Sequence, residues 1–454
     1  MRLVRQITQF FFNPEDKRNS KAYKHIAASL GIRAIGFGAS LLMVPLILEY
    51  IGSAYYGIWL TISSIIIWIG LFDIGLGSGL RNKLAEAISQ NDIPLAKNYI
   101  STGYCALFII SLILLCIFLI IHHFLNWTQI LNVSDFDNRQ LRLLIVLTFM
   151  FFLISFNLKL VGVILLADQR PAINNLFDPL ANILALIIII ILKKTTQPSL
   201  LFAGISIALS PVIILALANF YFYKFQYKQY IPLFRNIRWQ YFRPLFNLGI
   251  KFFIIQISII IIFTTDNIII TQIFNPSEVT VYNIAYKYFG IITMIFTIYI
   301  TPFWSAFTDA WVNRDLAWIK KTMKRNFIFW LLTVFGTLIF LGIAGPFYKV
   351  WVGDKVTIPF SLTLMMAFYV IIFNFTNVYN YFINGTGKIK LQLYINIFQA
   401  VINIPLAIYF AKYLNMGLSG IILATIVCLS ISVILAPWQY YLIINGKSSG
   451  IWNK

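Results

Sequence analysis

The 454 residues are 60% hydrophobic and 11% charged, and they carry a formal net charge of +20. With a mean hydropathy of +0.82, this composition excludes an ordinary soluble globule and points to an all-α polytopic membrane protein. Whether the positive charge marks a nucleic-acid surface or membrane topology depends on where the bases fall.

The first 26 residues hold a short apolar patch, "ITQFFF", followed by polar "NPEDKRNSKAYK". They lack the apolar core and small-residue cleavage site of a signal peptide, so 1–26 reads as a retained cytoplasmic segment. Apolar runs of about 20 residues, the length that crosses a hydrocarbon core of about 30 Å, follow near 27–50, 55–76, 98–121, 141–166, 172–193 and 200–222. A basic cytoplasmic linker, 226–245, separates these from a second set near 246–273, 281–303, 327–348, 359–384, 391–411 and 416–441. The expectation is twelve spans in an N-lobe (27–225) and a C-lobe (246–441), with a cytoplasmic tail at 442–454.

With the N-terminus inside, 24 of the 35 Lys and Arg residues fall on the cytoplasmic side. Seven fall outside (Arg139, Arg142, Lys193, Lys194, Lys349, Lys355 and Lys412), and four lie within spans. This is the positive-inside asymmetry, which places both termini in the cytoplasm and leaves no need for a nucleic-acid partner.

The two halves repeat. "RNKLAEAISQNDIPLAK" (81–97) aligns with "WSAFTDAWVNRDLAWIK" (304–320), setting Glu86 on Asp309, Ala87 on Ala310, Asp92 on Asp315 and Lys97 on Lys320. "NLFDPLAN" (175–182) aligns with "NIFQAVIN" (396–403) at nearly the same offset. Six spans per half is even, so both halves enter from the same side. The expected fold is two parallel-repeat six-helix lobes around a central cavity.

Charged groups inside spans are expensive in hydrocarbon, by about 2.5 kcal/mol or more, and usually face a bundle interior or a wet cavity. The bases are Arg33, Lys159, Lys251 and Lys287. Arg and Lys suit an anionic substrate such as a diphosphate, as a bidentate fork and a mobile point charge respectively. Snorkelling to the interface is the alternative for Arg33, Lys159 and Lys251. The run "LGIKFFIIQISIIIIFTTDNIII" sets Asp266 15 residues after Lys251, about 22 Å along a helix, too far to pair. Asp178 and Asp266 are the deeper carboxylates, and burial would raise either pKa and suit it to ion coupling. In "FNFTNVYNYFING", Asn374, Asn377, Tyr381 and Asn384 share one helix face, a surface for sugar hydroxyls or for interhelical hydrogen bonds.

Catalytic chemistry is poorly served. Asp135 and Asp137 form a D-x-D in a short outer loop, and His25, His122 and His123 have no ligand set around them, so neither a metal site nor a cofactor is expected. Cys105, Cys116 and Cys428 lie in spans without disulfide or metal spacing.

The stretch "YYGIWLTISSIIIWIGLFDIGLGSGLRNKLAEAI" (55–88), with "TTDNIIITQIF" (264–274) and "VYNIAYKYFG" (281–290), resembles the Wzx-type polysaccharide flippases of the multidrug/oligosaccharidyl-lipid/polysaccharide exporter superfamily, over roughly residues 20–445. The resemblance implies a twelve-helix, two-lobed, non-enzymatic transporter of the bacterial inner membrane. It would move an undecaprenyl-diphosphate-linked oligosaccharide from the cytoplasmic to the periplasmic leaflet by alternating access, for O-antigen or capsule assembly. A polymerase and a chain-length regulator of the same pathway are the implied partners, beside membrane lipids. In the related lipid II flippases, arginines in the cavity are thought to meet the diphosphate. This chain departs from that pattern, with Arg33 and three lysines. A multidrug/cation antiporter of the same superfamily and a membrane O-antigen polymerase are the rival readings. The antiporter would favour acidic cavity groups, and the polymerase would carry a long periplasmic loop.

Overall fold

The structure, a computed structural model, describes residues 17–69, 76–133, 137–168, 170–242 and 265–453. Among these residues there are helices and turns and no strand. Hydrocarbon explains why: it offers backbone N–H and C=O groups no water, and a helix satisfies them within its own segment. Ten of the described helices are long and apolar enough to cross a membrane.

The first half comprises α1 (Lys17–Ile69), α2 (Leu76–Ser89), α3 (Ile93–Phe124), α4 (Asn138–Leu158), α5 (Leu160–Ala167), α6 (Phe177–Thr195) and α7 (Leu200–Tyr221). The second comprises α8 (Pro276–Ile300), α9 (Phe303–Val312), α10 (Leu316–Val352), α11 (Phe360–Thr386), α12 (Lys390–Ile408) and α13 (Leu418–Ile444). The ten helices and the twelve expected spans reconcile at two places. Helix α1 breaks at Gly52, where φ is 79° and ψ 173°, a conformation that glycine adopts without steric cost. The arm before the break contains the expected span 27–50, and the arm after it, which ends at Ile69, is the described part of the expected span 55–76. The expected span 246–273 lies mainly outside the described residues, with 265–273 helical.

The described residues form two compact units, those within 32–280 and those within 281–453 together with 17–31. The division falls after Thr280, so residues 265–280 pack with the first unit, whereas the sequence reading begins its C-lobe at 246. In the first unit α7 packs on α4 and α6, and α2 lies against α3 and α5. Leu80, Leu84, Ile100, Leu160, Val161, Ile164 and Leu165 form a buried core between those elements. In the second unit α11 packs on α9, α10 and α13 around buried Phe296, Phe307, Phe382 and Ile383.

The internal repeat appears as one turn built twice. Asn91 and Arg314 each have φ 56°. Asp92 N donates to Ala87 O at 3.0 Å, and Asp315 N donates to Ala310 O at 2.9 Å. The Asp92 carboxylate then accepts from Leu95 N, and that of Asp315 from Trp318 N, both at 2.9 Å. Each aspartate thereby caps the following long helix. The capping also explains why α10 starts at Leu316 rather than at the expected 327, carrying Lys320, Lys321, Lys324 and Arg325 on the helix instead of in a loop.

Candidate functional site

A cavity of about 860 Å³ lies inside the first unit. Its walls come from the second arm of α1 (Trp59, Ser63, Ile66), from α4 (Thr148, Phe152, Ser155, Phe156), from α5 and from α7. Among the described residues, its charged lining residues are Arg81, Lys159 and Asp178. The cavity therefore combines two bases and one carboxylate with hydroxyls and aromatic faces.

Lys159 lines the cavity at the point where the fourth span tightens for one turn, Gly162 N donating to Lys159 O at 2.9 Å. Helix α4 ends at Leu158, and Lys159 (φ −64°, ψ −15°) joins it to α5. A tightened turn inside a span leaves a backbone carbonyl to be paired from elsewhere. Here Asn219 of α7 donates from Nδ2 to Leu158 O at 2.8 Å. Asn219 is held in turn, its Oδ1 accepting from Tyr104 OH at 2.9 Å, and Tyr104 OH accepting from Tyr223 OH at 3.0 Å. A three-residue polar chain thus satisfies the Leu158 carbonyl beside Lys159. Close packing holds α5 as well: a Cβ on Gly162 would meet Asn174 Oδ1 at 2.1 Å.

Arg81 arrives on α2, a short helix in what the sequence reading treated as an inner loop. Gly77 and Arg81, four residues apart, line the cavity together. On the same helix Lys83 pairs with Glu86 at 2.8 Å, and that hydrogen bond raises the Lys83 pKa. Asp178 stands in the first turn of α6, where a helix N-terminus favours a negative charge. It is exposed to the cavity rather than buried.

A second feature of this unit is a seam between the second arm of α1 and residues 265–280. Thr280 Oγ1 donates to Ser53 O at 2.7 Å, the hydroxyls of Thr61 and Thr271 lie 2.7 Å apart, and Asn267 Nδ2 donates to Ser64 Oγ at 2.8 Å. Gly57 lies midway, so close to Pro276 that a Cβ there would fall 1.6 Å from the Pro276 carbonyl oxygen. Small residues at 53, 57 and 61 let the two backbones approach, as at close helix contacts in membranes. Asn132 locks the far side, donating from Nδ2 to Thr271 O at 3.0 Å and Phe274 O at 2.9 Å. Asp266 is 6% exposed, next to Asn267 at the Ser64 end of the seam.

The other sequence-named residues fall elsewhere. Lys251 and the side chain of Arg33 lie outside the described residues. Lys287 is half-buried on α8 in the second unit. The polar stripe of α11 is divided: Asn374 is fully buried, with neither amide atom hydrogen-bonded among the described residues. Asn377 Nδ2 donates to Phe373 O at 3.0 Å, while Tyr381 OH lies 3.3 Å from Thr301 Oγ1 and its ring meets Trp304 edge-on. Asp137, half of the D-x-D, caps α4 by accepting from Arg139 N at 2.9 Å. Arg81 is the cavity base that sequence reasoning left among the topological charges.

Comparison with known proteins places the chain. The family described as polysaccharide biosynthesis protein matches residues 23–306. A candidate O-antigen export protein of Yersinia pseudotuberculosis is 23% identical over 429 residues, covering 90% of this chain and 92% of its own length. A candidate O-antigen transporter of Salmonella typhi is 22% identical over 422 residues, covering 92% and 95%. Among solved structures, a multidrug resistance transporter of the MATE family, in the MOP superfamily, superposes with a TM-score of 0.72 at 17% identity, over 93% of this chain and 100% of that one. The fold is that of this transporter class.

Proposed function

The chain belongs to the polysaccharide biosynthesis protein family, and from that premise we propose that it is a flippase. Its cargo in this reading is an undecaprenyl-diphosphate-linked oligosaccharide, carried from the cytoplasmic to the periplasmic leaflet of the bacterial inner membrane for O-antigen, capsule or related polysaccharide assembly. The observation that carries the proposal is the cavity in which Arg81 and Lys159 outnumber Asp178. A diphosphate is an oxygen-rich anion, for which guanidinium gives a rigid fork and ammonium a mobile point charge. The hydroxyls of Ser63, Thr148 and Ser155 and the rings of Trp59, Phe152 and Phe156 suit the polar edges and apolar faces of sugar rings. The polyprenyl tail stays in lipid.

In this reading Arg33 and Lys251 join the anion path, with Lys287, and Asn377 and Tyr381 contribute sugar contacts in the second lobe. Asn374, fully buried, takes that role only in a conformation that exposes it. The seam at Ser53, Gly57, Thr61 and Ser64 is the outer closure, and transport by alternating access requires it to part and re-form. Asp178 and Asp266 are the coupling carboxylates. Both termini are cytoplasmic, and the polymerase and chain-length regulator of the same pathway receive the product.

The cation antiporter of the same superfamily is the main rival, and it predicts the opposite charge preference. Purified protein is expected to be stabilised against heat by undecaprenyl-diphosphate-linked sugar, the effect shrinking as salt screens the charges. Lipophilic cations are expected to give no comparable stabilisation. Stabilisation by the cations alone would support the antiporter and overturn this reading.

A further inference from the structure

The strap between the sixth span and the undescribed residues has two faces. Its inner face is anchored. Tyr227 and Tyr230 are buried, and Tyr227 OH donates to Asp168 Oδ2 at 2.8 Å. Burial, reinforced by that hydrogen bond, raises the Tyr227 pKa, so the phenol stays protonated and remains a donor. Asp168 also pairs with Arg170 at 2.9 Å. Further along, Leu233 N donates to Ser101 Oγ at 3.1 Å and Arg238 N to Thr102 Oγ1 at 3.0 Å, fixing the strap to the third turn of α3.

The outer face combines apolar bulk with positive charge. Phe234 is 93% exposed, Phe225 63%, Trp239 57% and Leu233 46%. Lys224, Lys228, Arg235 and Arg238 are exposed beside them, and residues 222–242 contain no Asp or Glu. Large aromatic side chains held out by a fixed backbone are costly in water, and they suit the boundary between head groups and acyl chains. A cluster of bases with no acid among them is complementary to an anionic surface.

We propose that this strap docks on the anionic lipid head groups of the leaflet it faces, with Phe234 and Trp239 inserted and Arg235 and Arg238 on the phosphates. The inference is independent of which substrate the cavity takes. Because the strap is pinned to α3 and, through Asp168, to the end of α5, the lipid surface has a rigid handle on two elements that line the cavity.

The test uses the full chain with its three cysteines replaced and Phe234→Cys carrying an environment-sensitive fluorophore. It is reconstituted in vesicles of phosphatidylcholine alone or mixed with phosphatidylglycerol. The expected result is a blue shift and severalfold weaker iodide quenching in the mixed vesicles, reversed by high salt and absent in Arg235→Glu/Arg238→Glu. A label equally wet in both compositions overturns the proposal. So does a label shielded equally in both, which would mean insertion without head-group recognition. A label wet in all vesicles but shielded in cell membranes would assign the face to a protein partner and overturn it as well.

Discussion

Reversing both cavity cations in one chain, Arg81→Glu together with Lys159→Glu, abolishes surface polysaccharide in cells while the protein stays in the membrane at its normal level. Among the described residues, the cavity's lining then changes from two bases and one carboxylate to three carboxylates. A like-charge contact at about 4 Å costs on the order of 4 kcal/mol at an effective dielectric of about 20. Cavity water lowers that figure, yet about 1.4 kcal/mol is already tenfold in affinity. Both side chains are exposed, so the substitutions leave the packed core intact and the loss is one of function. Lys159→Arg, which keeps the charge, retains most of the export. Immunoblots of membranes beside polysaccharide gels separate the outcomes, and normal export by the double glutamate variant would remove these residues from the path.

The second large effect comes from a single methyl group. Gly57→Ala places a Cβ 1.6 Å from Pro276 O and 2.5 Å from its carbonyl carbon, and no side-chain rotation relieves a contact with backbone. The seam must separate locally, weakening the Thr61–Thr271 and Thr280–Ser53 hydrogen bonds. Overpacking of this kind costs about 1–3 kcal/mol and sometimes more. If the seam is the outer closure, the closed state is disfavoured by that amount and the cycle loses one of its two end states. The thermal midpoint and export are both expected to fall. Gly38→Ala, where a Cβ meets nothing within 4 Å, is expected to change neither, and equal behaviour of the two variants would contradict the role given to the seam.

Much of the fold is written in hydropathy, because lipid demands helices of a fixed length and that demand survives any packing detail. The duplication is legible too: Asp92 and Asp315, aligned in the sequence, cap the same turn with the same backbone hydrogen bonds. The cavity is less legible, for identifiable reasons. Arg81 lies between apolar runs, so hydropathy assigns it to a loop; only its spacing from Gly77 on a short amphipathic helix hints otherwise. Lys159 is visible as a base in a span, but the carbonyl beside it is satisfied by Asn219, 60 residues on in the sequence, a pairing that hydropathy does not show. The seam had a readable signal in Ser53, Gly57 and Thr61, small residues four apart. What no single-chain pattern reveals is their partner, residues 265–280, which lie beyond the expected lobe boundary.

Translocation itself is the most direct test. The protein is reconstituted in vesicles with a fluorescent undecaprenyl-diphosphate-linked sugar, and an impermeant reductant added outside reports how much label reaches the outer leaflet. With wild type, the bleached fraction is predicted to exceed that of protein-free vesicles and to continue rising, while Arg81→Glu/Lys159→Glu stays at the protein-free level. Equal bleaching by the two proteins, or by wild type and empty vesicles, would contradict the account.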